Sequence, residues 1–138
     1  MRKSRTKIDY LLVDRLCALY DPFKAIGVNR EADFESWAVV SHFGLDSSFQ
    51  KSTRTRAYHY GRIRYFKLLL LQETKIDPIV VDNYCFDSHI LPQLVLLDGN
   101  HRLAAAFLAG VKKVPASYGG RTDLLSYLKG RRKTPPLE

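Results

Sequence analysis

The chain has 138 residues, 46% of them hydrophobic and 12% aromatic, and carries a formal net charge of +8. That length and apolar content suit one domain with a real core, and exclude both a second core and a disordered chain. The excess of positive charge favours polyanionic partners, nucleic acid or nucleotides, through a long-range field that salt screens.

In chain order, residues 2–7 form a first basic cluster, and the apolar run after them is broken by Asp9, Asp14 and Arg15. No secretion signal is expected from such a start. Residues 8–19 carry Leu12, Leu16 and Leu19 at helical spacing, but Leu11-Leu12-Val13 also suits a buried strand, and a strand near residues 11–16 is the expectation. Asp21-Pro22 marks a break, because proline lacks a backbone donor and restricts the residue before it. From 31 to 43, Phe34, Trp37, Ala38 and Ser41 share a helical face, and Gly44 is placed to end a short amphipathic helix.

A polar loop is expected over residues 45–52, with Ser52 or Thr53 capping a helix that runs to about residue 73. Its buried stripe is Ile63, Phe66, Leu69 and Leu70. Between residues 51 and 72 there are basic residues but no acidic one, with Tyr58, His59 and Tyr60 interleaved. Arg54, Arg56, Arg62, Arg64 and Lys67 are therefore the candidate nucleic-acid contacts, against the alternative of an ordinary solvated face. The longest uncharged apolar run here, residues 68–71, is far short of the about 20 residues that span a membrane, so no membrane partner is expected.

After Asp77-Pro78, the β-branched run Ile79-Val80-Val81 predicts a buried strand, and a loop follows over residues 82–92. Residues 94–97 predict a second strand, residues 100–109 a helix closed by Gly110, residues 114–118 a third strand, and residues 124–128 a last helical turn or two. Residues 1–130 make the single domain and 131–138 a basic, proline-containing tail that frays. Cys17 and Cys85 lie far apart and lack the close pairing of zinc or redox motifs, which favours a reducing, cytoplasmic setting.

The chemistry concentrates where the strand of residues 94–97 turns through Asp98-Gly99-Asn100-His101-Arg102 into a helix. A helix start offers unpaired N–H groups and a partial positive charge, so an anion is held there by the backbone. Gly99 permits a sharp turn, Asn100 suits the cap, the N–H groups up to Leu103 belong to the cradle, and His101 and Arg102 add side-chain donors. Asp98 either binds Mg²⁺ or accepts a proton from a nucleophile, or it merely caps the turn.

The order of strand, strand, Asp-Gly-Asn-His-Arg-Leu-Ala-Ala turn, helix ending Leu-Ala-Gly and Val-Pro-Ala strand, over residues 58–118, resembles the nucleotide-binding domain of the ParB and sulfiredoxin superfamily. The resemblance implies an α/β (α+β) fold, a small mixed β-sheet flanked by helices. It also implies a turn that holds nucleotide phosphates, a nucleoside triphosphate (ATP or CTP) with Mg²⁺ as cofactor, and a base early in the chain as in the related kinases, for which Glu35 is the candidate. Asn100 stands where sulfiredoxins carry cysteine, so their thiol chemistry is not expected, and with about twenty residues after the Val-Pro strand a chromosome-segregation clamp is not expected either. The leading expectation is a stand-alone ParB-like enzyme of NTP hydrolysis or phosphoryl transfer in contact with DNA. A metal-dependent nuclease, a small-metabolite kinase and a non-catalytic DNA-binding protein or inhibitor of DNA transfer are the alternatives.

Overall fold

A computed structural model describes residues 7–41, 56–83 and 94–136. Four strands, β1 (Asp9–Leu12), β2 (Ile79–Asn83), β3 (Leu94–Asp98) and β4 (Lys113–Gly119), form one sheet in the order β1-β4-β2-β3. The β2–β4 pair is parallel and the other two pairs are antiparallel, so the sheet is mixed. Around it lie α1 (Val13–Leu19), α2 (Pro22–Ala25), α3 (Arg56–Leu71), α4 (Asn100–Ala109) and α5 (Thr122–Leu128), the α+β arrangement expected. None of these helices is long and apolar enough to cross a membrane.

The sheet is built by alternation. Leu11, Ile79, Val81, Leu94, Leu96, Val114 and Ala116 turn to one side and are buried with Val13 and Leu16 of α1, Leu103 and Ala106 of α4, and Leu124 and Leu128 of α5. The helix α4 is buried on a second side too. Ala104 and Ala105 face Tyr60 and Ile63 of α3 together with Phe23 and Phe34, and their small side chains let α3 and α4 approach closely. Thus α4 is the middle layer, and its first turn is carried to the place where β2, β3 and α3 meet.

Two expected elements differ. The first strand stops at Leu12 and a helix follows at once, so both readings of residues 8–19 hold in part, with α1 placing Val13 and Leu16 in the core. The helix expected over 31–43 is reduced to a single 3-10 turn, Phe34–Ser36, capped by Asp33, whose side chain accepts from the Glu35 N–H at 3.2 Å. Residues 37–41 instead cross α3. The Val40 N–H donates to the Gly61 carbonyl at 3.1 Å, and a Cβ on Gly61 would run into Ala38 O and the Val40 side chain. Trp37 lies flat on Tyr60, with ring planes 14° apart and centroids 4.9 Å apart, a contact that outweighs local helical preference. Gly44, the loop over 45–52 and the caps Ser52 and Thr53 lie outside the described residues.

The tail also departs from expectation as far as residue 136. Arg15 Nη1 donates to the carbonyls of Tyr127 and Arg132 at 2.6 and 2.7 Å, and Pro136 is buried. A guanidinium held by two carbonyls fastens residues 131–132 against α1.

Candidate functional site

The site expected from the sequence begins at Gly99, the residue before α4. Its φ of 108° is left-handed, and a Cβ there would sit 2.5 Å from Ile79 Cγ2, so the turn lies directly on the start of β2 and accepts only glycine without strain. The Leu103 N–H donates to Gly99 O at 2.9 Å, which opens the helical ladder. Leu103 therefore belongs to the core and not to the cradle, and the N–H groups of residues 100–102 are those that precede the ladder. Asn100 does not cap the helix either. Gly99 holds the cap position without a side-chain bond, and Asn100 Oδ1 accepts the Tyr20 hydroxyl at 2.8 Å. Burial pushes the Tyr20 pKa up from its ordinary value, against the opposing effect of that hydrogen bond, so the phenol keeps its proton and stays a donor.

Arg102 is largely committed to the protein. Nη1 donates to the carbonyls of Asp77 and Pro78, each at 2.9 Å, and Nη2 pairs with Asp98 at 3.0 Å. Its guanidinium ties the turn to the segment leading into β2, a positioning role that the sequence reading assigned to phosphate. Asp98, with 69% of its side chain exposed, stands at the rim.

His101 is joined to α3. Its Nε2 lies 2.9 Å from Nδ1 of His59, and Tyr58 packs at steep angles against both rings. His59 comes from α3, and the packing of α3 against α4 brings its ring to the turn. Next to this pair is a cavity of about 270 Å³, bounded by Asp98, Gly99, His101 and Arg102 from the turn, Arg62 and Phe66 from α3, and Asp77 before β2. Tyr20 and Asp77 carry no motif that points to the site, and Tyr58 shows in the sequence only as an aromatic interleaved among basic residues.

Three of the five candidate nucleic-acid contacts, Arg62, Arg64 and Lys67, are engaged within the protein. Arg62 is 8% exposed, covers the Phe66 ring at 4.6 Å and donates to Val40 O at 3.2 Å. Arg64 donates to Trp37 O at 2.6 Å and pairs with Glu35, as does Lys67 at 3.1 Å. These cations hold residues 35–40 onto α3. Arg56 is exposed and borders a separate cavity of about 360 Å³ with Trp37, Tyr60 and Asn29, while Arg54 lies outside the described residues. Glu35, expected as a base, is occupied by its two cations and is not among the residues that bound the cavity at α4.

For a metal, the described residues contain no group of three or more His, Cys, Asp or Glu side chains able to hold an ion. Two acidic residues, Asp77 and Asp98, border the cavity, which fits Mg²⁺ arriving with phosphates, since that ion commonly takes one or two carboxylates and completes its shell with phosphate and water. No family model matches this chain, and no curated protein or solved structure does either.

Proposed function

We propose that the chain is a ParB-like nucleotide-binding enzyme that carries out NTP hydrolysis or phosphoryl transfer, with the terminal phosphate seated at the start of α4. The observation that carries this reading is the Gly99 turn opening α4 beside a cavity of about 270 Å³, with an imidazole on its wall. That volume lies just below the range of about 300–1,000 Å³ for pockets that enclose a whole small molecule, and suits a phosphate with part of a sugar.

The N–H groups of residues 100–102 and the positive end of α4 meet the phosphate oxygens, a preorganised charge complement of the kind such transfers depend on. His101 is the side chain that gives or takes a proton there. Arg102 acts by holding the turn in place, and Tyr20 by orienting the Asn100 amide. Asp98 and Asp77 are the residues that would hold Mg²⁺ brought in with the nucleotide, and the ion would supply charge neutralisation on the phosphates. DNA contact is the less supported part of the reading, because Arg62, Arg64 and Lys67 are engaged within the protein.

The test is calorimetry of ATP, ADP, CTP and GTP with and without Mg²⁺, alongside phosphate release, on wild type, His101→Ala and Arg56→Ala. At least a tenfold loss of affinity is expected for His101→Ala, about 1.4 kcal/mol, and none for Arg56→Ala. Nucleotide affinity unchanged in His101→Ala removes the assignment.

A further inference from the structure

The planes of His59 and His101 differ by 15° and their centroids are 5.2 Å apart, while His59 Nδ1 and His101 Nε2 are 2.9 Å apart. The centroid separation equals the nitrogen–nitrogen distance plus the two ring radii. The rings therefore lie edge to edge in nearly one plane, each directing an in-plane nitrogen at the other. One proton fits on that axis. Two neutral imidazoles satisfy it in either of two tautomers, and an imidazolium with an imidazole satisfies it as a charge-assisted bond; two imidazoliums would set N–H against N–H.

We propose that His59 and His101 take up one proton between them instead of one each, and that His59 is the positioning residue that decides whether His101 meets a ligand as donor or as acceptor. When the shared proton sits on His59 Nδ1, neutral His101 carries its own proton on Nδ1; when it sits on His101 Nε2, Nδ1 of His101 is a base. Exchange between these two neutral tautomers, in which the proton crosses the bond while His101 Nδ1 releases its proton and His59 Nε2 takes one up, thus inverts the second nitrogen of a residue on the cavity wall.

The consequence for ligand class rests on the phosphate-site reading above. Among the described residues, the charged ones that bound the cavity beside the pair are Arg62 from α3, Arg102 from α4, Asp98 from the turn and Asp77 before β2, whose formal charges cancel, while exposed Arg56 lies one helical turn before His59 on α3 and the Tyr58 ring packs against both imidazoles. A terminal phosphate, whose second ionisation falls at about pH 6, brings up to two negative charges and draws one proton onto the pair. A phosphodiester brings one charge and gives less reason for that uptake. The site accordingly selects a terminal phosphate monoester or polyphosphate end over a nucleic-acid backbone.

Two measurements on the full chain test this. In ¹⁵N-histidine NMR of the wild type, the ring nitrogens of His59 and His101 should shift together in a single step, with one proton taken up by the pair. Each ring titrating separately to imidazolium overturns the proposal. In calorimetry with ATP in buffers of different ionisation heat, wild type should take up close to one proton per ATP on the alkaline side of that step, with affinity falling about tenfold per pH unit. His59→Asn, which keeps a hydrogen-bonding group near the Nδ1 position without sharing a proton, should move the pH profile, and an unchanged profile overturns the positioning role. ATP failing to bind wild type while the rings titrate as a unit overturns the phosphate site and leaves the pair standing. ATP binding with independent rings does the reverse.

Discussion

Arg102 offers the sharpest separation between a ligand-binding side chain and a structural one. Its guanidinium makes three hydrogen bonds, to Asp77 O, Pro78 O and Asp98, and its side chain is only 12% exposed. A hydrogen bond from a charged donor contributes about 1.5–3 kcal/mol when shielded from water. The Asp98 bond falls to about 0.2–1 kcal/mol, because that carboxylate is 69% exposed and water competes for it. The Asp77 carbonyl is also reached by water once the guanidinium leaves, so the part-buried bond to Pro78 carries most of the effect. Arg102→Ala should therefore cost roughly 2–3 kcal/mol, a large fraction of the 5–15 kcal/mol typical of a domain. Urea unfolding followed by circular dichroism reads this as a lowered midpoint with unchanged slope. Arg102→Lys should recover less than half, since an ammonium cannot reproduce the fork, and Asp98→Asn should stay within about 1 kcal/mol of wild type. A loss below about 0.5 kcal/mol for Arg102→Ala would refute the clamp and return the guanidinium to the ligand.

The two helix-flanking glycines should differ. Gly99→Ala combines a left-handed backbone with a Cβ 2.5 Å from Ile79 Cγ2 and should cost more than about 2 kcal/mol, whereas Gly110→Ala, with φ 74° and nothing within 4 Å, should cost about 1; thermal denaturation giving the reverse order defeats the argument. Cys17 is pushed up from 9.0 to about 12, by burial above all, so site-resolved mass spectrometry should find it inert to iodoacetamide at about pH 8 until the chain unfolds. Because its folded value lies above the unfolded one, its stabilising contribution is intact below 9.0 and is lost as pH rises from there toward about 12, which lowers the urea midpoint on the alkaline side. Asp123 moves the other way. The hydrogen bond from Arg121 holds its carboxyl below the usual range, so its contribution is present above the ordinary carboxylate value and disappears as pH falls through the folded one. Asp123→Asn should flatten that acid limb, and midpoints that drop as steeply as in wild type speak against it.

The sequence by itself determined the elements whose signals are local. β-Branched Ile79-Val80-Val81, the apolar run before Asp98, the glycine that opens α4, Gly110 in left-handed conformation at its end, and Val114-Pro115-Ala116 all fold as their own chemistry directs. In each case the deciding interactions lie within a few residues along the chain, where propensity, periodicity and φ preference suffice. Only the tertiary structure decided the remainder. Residues 37–41 had helical spacing, but stacking Trp37 on Tyr60 and capturing the Trp37 and Val40 carbonyls with Arg64 and Arg62 drew them across α3 without a helix. The same captures turned a basic helix face into an internal clamp. His59 and His101, 42 residues apart, meet because Ala104 and Ala105 let α4 approach α3 closely, and Arg102 finds carbonyls 24 and 25 residues upstream. Such pairings depend on which helix packs beside which, a property of the whole chain's burial that no window of sequence contains.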